Sequence, residues 1–248
     1  MRKLSPFKAI SHSLNAVFNY RTMALRLGMF WIPLLFLIGL AEWLLMPQGA
    51  ISEQPGFNPF FETVSAIAGL AAFSSLAVSW HRFILRDELS SPTRLDRPVW
   101  RYAGNSLLIM LVVLVPVVIV ALVLSRLPPG LSVLLVPLAL AAGTVATRLC
   151  IKLPAVALGN DSFTFRDAWR ISEGNMWQLA GVFALNAAIL LAARFALAMI
   201  VWSVHRIAPA AAIPVALVIG AGFHLFYMLF SAGVFTALYG FFVEKRDF

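Results

Sequence analysis

Six long apolar stretches, separated only by short polar connections, limit what this chain can fold into more than any other feature. They run over 27–46, 62–85, 103–124, 131–149, 179–202 and 211–243. A helix rises about 1.5 Å per residue, so about 20 apolar residues cross a hydrocarbon core of about 30 Å. Of the 248 residues, 61% are hydrophobic and 12% charged, whereas a soluble domain carries about a quarter charged residues. A water-soluble core of this length cannot hide so much apolar surface, so lipid is the expected solvent. No long polar stretch interrupts the series, and residues 1–248 read as a single membrane domain. The expected fold is all-α, with about six transmembrane helices arranged as three hairpins.

The net charge of +8 would point to nucleic acid in a polar chain, because phosphate neutralisation needs clustered Lys and Arg. Here the cations fall between the apolar stretches instead, and no nucleic-acid partner is expected. Sixteen of the nineteen Lys and Arg lie in the N-terminal segment, the connections after the second and fourth stretches, and the C-terminal tail. Arg126 and Arg206 fall on the other side, and Arg194 falls inside the fifth stretch. Loops rich in Lys and Arg stay on the inner side of a bacterial membrane. A bacterial inner-membrane protein with both termini in the cytoplasm is therefore expected. Trp rings favour the boundary between lipid and water; Trp31, Trp80, Trp100, Trp169 and Trp177 fall near inner ends, and Trp43 and Trp202 near outer ends. The lone Cys150 excludes an internal disulfide and is expected to pack as a small hydrophobe. Residues 1–26 are polar and basic ahead of a stretch long enough to span, as in a retained signal anchor.

The inner connections carry helix signals. Ser5 and Pro6 read as a cap and a first helical residue, followed by Phe7, Ile10, Leu14, Val17 and Phe18 at helical spacing. Lys8, Ser11, His12 and Asn15 fall mostly opposite, as in an amphipathic helix lying in the cytoplasmic interface. Thr164 and Asp167 have capping spacing, and Phe165, Ala168, Trp169 and Met176 can line one face. Ser91, Pro92, Asp96 and Pro98 mark turns and a helix start. Pro154 is expected to bend the fourth span into the interface. One pattern occurs twice: Trp100, Arg101, Gly104 and Asn105 before the third span, and Trp169, Arg170, Gly174 and Asn175 before the fifth. An interfacial Trp, an Arg facing anionic headgroups and a Gly-Asn bend would turn an interfacial helix into a spanning one. The chain thus reads as three units of interfacial segment plus hairpin, the first lacking the Trp-Arg pair.

The segment Leu153 to Leu179, together with Trp80-His81-Arg82-Phe83-Ile84-Leu85, resembles a broad group of bacterial six-span inner-membrane proteins. The group includes the YciC-like proteins and the membrane domain that precedes some glycerophosphodiester phosphodiesterases. The resemblance implies the six-span topology and no site residue. The phosphodiesterase chemistry of the fused relatives lies in a separate soluble barrel, which these residues do not include.

Polar groups inside spans are costly and mark candidate sites. Arg194 lies roughly 12 Å below the outer end of the fifth span by helix rise, and Glu42 lies at a compatible depth in the first. A buried Arg194–Glu42 pair is the favoured reading, with outward snorkelling as the alternative. Asn186 and His224 fall near mid-span and are expected to hydrogen-bond across helices. Ala184, Ala188, Ala192 and Ala196, and the face of Ala139, Ala142, Gly143 and Ala146, are expected to pack the bundle internally. Pro33, Pro116, Pro137 and Pro214 lie in or at the edges of spans, where proline can kink a helix.

No G-x-S-x-G, HExxH, P-loop or dinucleotide glycine pattern occurs. Asp87, Glu88, Asp96, Asp161, Asp167 and Glu173 are spread over two Arg-rich connections, each reading as a cap or the partner of a base. Catalysis would need His81, His205 or His224 to meet acidic groups in one pocket, and their depths separate them. The chain reads as no enzyme, with no catalytic or metal-binding residue and no cofactor. The first expectation is an accessory, assembly or envelope-homeostasis component of the inner membrane, touching anionic headgroups and a membrane-protein partner. The alternative is a transporter or flippase of a lipid or other amphiphile.

Overall fold

The computed structural model describes residues 2–45, 59–89, 91–126 and 129–247; the side chains of Trp43 and Pro129 also stay outside the description. The elements are α1 (Pro6–Asn19), α2 (Arg21–Leu45), α3 (Pro59–Arg86), α4 (Arg97–Leu124), a 3-10 turn (Pro129–Leu134), α5 (Leu135–Cys150), α6 (Lys152–Ala157), α7 (Phe165–Ile171), α8 (Met176–Ile207) and α9 (Pro209–Phe242). No strand occurs among the described residues. Six helical segments are long and apolar enough to cross a membrane; the fourth joins the 3-10 turn, α5 and α6 over Gly130–Ala157. The chain is an all-α, multi-pass membrane protein. Packing of α2 on α3, α4 on α5 and α8 on α9 makes three hairpins, and α9 touches α1, α2, α3 and α6 as well. Met46, the loop after α2 and the turn at 127–128 lie outside the described residues.

Six crossings bring the chain back to its starting side, so α1 and the C-terminal tail share one end, here the near end. Burial is concentrated in that half. On α4 the buried positions end at Ile109 and on α8 at Val182. On α3 and α9 they cluster over residues 72–85 and 228–242. Farther out the helices expose large apolar side chains such as Val123, Phe195 and Ile207, which face lipid. The far half is solvated, and the near half is a packed core.

Four local readings change. The first concerns α1, whose Ser5 cap and Pro6 start form as the residues require. Its buried face is Ala9, Ile10, Ser13, Ala16 and Val17, packed on α8 and α9, while Phe7 (72%) and Phe18 (63%) are exposed. Small side chains choose this seat: a Cβ on Gly233 of α9 would stand 3.4 Å from Ser13 Cβ. The helix is docked on the bundle, with its two Phe rings turned outward.

The second concerns Pro154. It has no N–H for the Cys150 carbonyl, and its ring crowds that carbonyl. The helix stops at Cys150, Ile151 N–H reaches Arg148 O at 3.3 Å, and α6 turns inward. Leu153, Ala155, Val156 and Ala157 are buried against neighbouring helices. The bend leads into the core, because residues 153–157 are all apolar, while Lys152 at the start of α6 stays half-buried.

The third is the repeated pattern. Gly174, at φ +74°, turns the chain between α7 and α8 in the left-handed region that glycine favours, and Asn175 follows at the N-cap position of α8 without a side-chain cap bond. Gly104 and Asn105 instead lie inside α4, where Asn105 Nδ2 donates to Arg101 O at 2.7 Å. Asp96 and Pro98 already start α4 at Arg97, so no corner is needed there and only one of the two copies bends.

The fourth concerns surfaces. Trp100, Trp169 and Trp177 are exposed as boundary residues should be, but Trp31 and Trp80 are core residues. Ala184, Ala188, Ala192 and Ala196 all face outward, whereas Gly143 of α5 receives the Phe183 ring of α8, which would collide with any Cβ there. Pro33, Pro116 and Pro214 sit within helices that remain continuous. Pro137 falls in the first turn of α5, where an N–H has no helical partner to lose.

A candidate ligand cavity inside the bundle

The near core is held by polar brackets between segments far apart in sequence. Asn175 Oδ1 accepts from Leu4 N–H at 2.9 Å, its Nδ2 donates to Arg2 O at 3.2 Å, and Lys3 Nζ donates to Gly174 O at 2.7 Å. The α7–α8 corner is thereby tied to the N-terminal segment. Arg2 continues the tie to the carbonyls of Lys245 and Arg246 and to Asp247. Arg148 is buried at the end of α5, donating to Ser172 Oγ at 2.9 Å and Trp169 O at 2.7 Å. Its guanidinium carbon stands 3.7 Å from the Trp169 ring centroid. Trp169 therefore serves a cation inside the protein as well as the boundary.

The connection between α3 and α4 is an ion network. Glu88 pairs with Arg82 at 2.7 Å and with Arg94 at 3.4 Å, and Arg94 also pairs with Asp96 at 2.5 Å. The Arg82 hydrogen bond, with Arg94 beside it, holds the Glu88 carboxyl below the usual carboxylate range, and Arg94 does the same to Asp96. Arg82 reaches on to Ala157 O at 3.1 Å, capping α6. Thr164 and Asp167 form the expected capping box on α7. Arg101 pairs with Asp161, while Arg170 is exposed. Of the two Arg in the repeated pattern, the first serves the fold and the second faces the surroundings.

His81 of α3 is fully buried in the near half. Its Nδ1 is 2.8 Å from Thr236 Oγ1, and its Nε2 is 3.2 Å from Tyr102 OH. Thr236 spends its own proton on Ala232 O at 2.8 Å. His81 Nδ1–H therefore donates to Thr236, and Nε2 pairs with the Tyr102 hydroxyl. The ring is satisfied on both edges. This three-helix contact escapes sequence reading because Thr236 and Tyr102 carry no charge or motif.

Above α6 is a cavity of about 430 Å³ lined by α3, α4, α5, α6, α8 and α9. Its wall is mostly apolar, and none of the lining residues is Asp, Glu, His, Lys or Arg. Asn186 of α8 and Ser106 of α4 stand in it at similar depths, about 15 Å from the near ends of their helices by helix rise. Neither Asn186 Oδ1 nor Ser106 Oγ has a hydrogen-bond partner among the described residues. Cys150, buried as expected, adds its side chain to the floor.

The other intramembrane candidates lie elsewhere. Arg194 is exposed on the far half of α8, Glu42 is half-buried on α2, and no ion pair joins them among the described residues. Equal depth did not bring them together, because α2 and α8 each pack chiefly on α9 and not on one another. His224 is exposed, with its ring 6.3 Å from that of Tyr227, on a second groove between α2, α3 and α9. Among the described residues, neither His224 nor Asn186 makes the cross-helix hydrogen bond expected of it. No family model matches this chain, and neither a curated protein nor a solved structure shows significant similarity to it.

Proposed function

We propose that this is a non-enzymatic protein of a bacterial inner membrane, with both termini in the cytoplasm, that takes an amphiphile from the bilayer into the cavity above α6. The observation carrying this reading is a cavity of about 430 Å³ whose mostly apolar wall holds no charged residue, with Asn186 Oδ1 and Ser106 Oγ unpartnered among the described residues. A buried amide without a partner costs about 1–3 kcal/mol, and a guest that hydrogen-bonds to it recovers that cost. The far halves of α4 and α8 are open to lipid, which gives a chain in the bilayer a path inward. The carrier reading is therefore preferred to an accessory or assembly role. Exposed Trp100, Trp177 and Arg170 at the near end suit a boundary with anionic headgroups. Kinship with the six-span YciC-like group belongs to the same proposal and rests on the two segments already quoted.

The test is lipid retention. Protein extracted in mild detergent is analysed by mass spectrometry for bound lipid, beside an Ala187→Phe variant that fills the cavity from α8. Several-fold less bound amphiphile in the variant is expected. Equal retention by both, or no bound amphiphile on either, would overturn the reading.

A further inference from the structure

A second pocket, also of about 430 Å³, opens at the near end between α1, the end of α3 and the C-terminal tail, and shares no lining residue with the cavity above α6. Its wall holds one charge of each sign, Asp87 and Arg246, together with the side-chain amides of Asn15 and Asn19. Desolvation and the Arg246 charge lower the pKa of His12 in the same wall, so that ring is neutral at pH 7. Arg246 is held against the end of α3, where Nη2 donates to Leu85 O at 3.3 Å, and its Nε lies 2.7 Å from Glu244. The rest of its fork is left for a guest oxygen. Asp87, two residues beyond Leu85, is exposed and makes no ion pair among the described residues. Asp87 at φ +54° and Lys245 at φ +59° are the non-glycine residues in the left-handed region among the described residues. The first lines the pocket and the second precedes Arg246; such conformations gather at ligand clamps. Tyr20, its ring edge-on to Phe83 at 5.1 Å, adds to the wall at the foot of α2. Farther along α2, Leu25 and Met29 are exposed apolar side chains that lipid must cover, so the pocket stands at headgroup level.

We propose that this pocket binds a phosphate diester carrying a primary ammonium, as in an aminoethyl phospholipid headgroup. The Arg246 fork takes the phosphate, and the Asp87 carboxylate takes the ammonium, with the amide oxygens of Asn15 and Asn19 as further acceptors. A phosphate without an amine would set its negative charge beside Asp87 with nothing to offset it. A trimethylated ammonium has no N–H to give the carboxylate. The site is independent of the cavity above α6 and stands whether or not that cavity takes a guest.

The test uses the full chain in mild detergent with equal amounts of dihexanoyl lipids bearing ethanolamine, choline or glycerol headgroups, bound lipid being counted by native mass spectrometry. The ethanolamine lipid is expected to bind about fivefold tighter than either of the others, the size of a well-made exposed ion pair. Asp87→Asn keeps the left-handed turn, which Asn also tolerates, and is expected to erase that preference. Arg246→Gln is expected to weaken all three lipids alike. Equal binding of the ethanolamine and choline lipids to the native chain would overturn the inference, as would a preference that survives in Asp87→Asn. Free glycerophosphoethanolamine, added as competitor, separates the two sources of this chemistry. Displacement at equal concentration supports a soluble guest, and displacement only at large excess supports the lipid headgroup. Should neither the lipids nor the competitor bind, the site falls.

Discussion

Arg148 is a cation in an almost lipid- and water-free position, 7% exposed, with a hydroxyl, a carbonyl and an indole face as partners. A planar guanidinium can serve all three at once, and an ammonium on a flexible stem cannot. Arg148→Lys is therefore expected to lower stability by about 2 kcal/mol, seen as an earlier thermal transition in detergent; an unchanged transition would refute the role. Sequence counting used Arg148 only to orient the chain, since nothing in the spacing to Trp169 or Ser172 marks them as partners. Helix rise gave useful depths for Glu42 and Arg194, but depth carries no information on which way a side chain points around its axis. Asn186 reads from the sequence as costly where it sits, and the lack of a partner for its Oδ1 among the described residues is visible only with the neighbours in place.

The spans were legible as elements because each is a long run of one physical character, and lipid tolerates errors of a few residues at either end. Short elements were harder. The residues of α1 predict its cap, its start and its existence, but of its five large apolar side chains Ile10, Leu14 and Val17 pack on the bundle while Phe7 and Phe18 face outward. Packing against α8 and α9 turns the Ala9, Ser13 and Ala16 side inward together with Ile10 and Val17, since only small groups fit against Gly233. Gly233→Ala should be tolerated, its added methyl falling at ordinary van der Waals distance from Ser13. Gly233→Leu should cost about 1–3 kcal/mol and loosen α1, with faster tryptic cleavage at Lys8 or Arg21 as the readout. Equal cleavage of both variants and the native chain would contradict the seat. Pro154 likewise announced a break, while the inward turn of α6 depended on core space that no local pattern encodes.

At the scale of the molecule, sixteen cations gather at the end that holds both termini, with Arg126 and Arg206 at the other. That asymmetry predicts orientation. In a Cys150→Ser background, Arg166→Cys should resist a membrane-impermeant maleimide in intact cells and react after permeabilisation, whereas Arg206→Cys should react in both. The reverse pattern would invert the topology. Packing is as lopsided as charge, dense near the termini and open beyond Ile109 and Val182. Such a bundle has a stiff base and a rim whose shape is lent by the surrounding acyl chains. Bilayers of different thickness impose different tilts on unsupported helix ends, so membrane thickness becomes a control on the mouth of the cavity while its floor at Cys150 and Leu153 stays in the packed base.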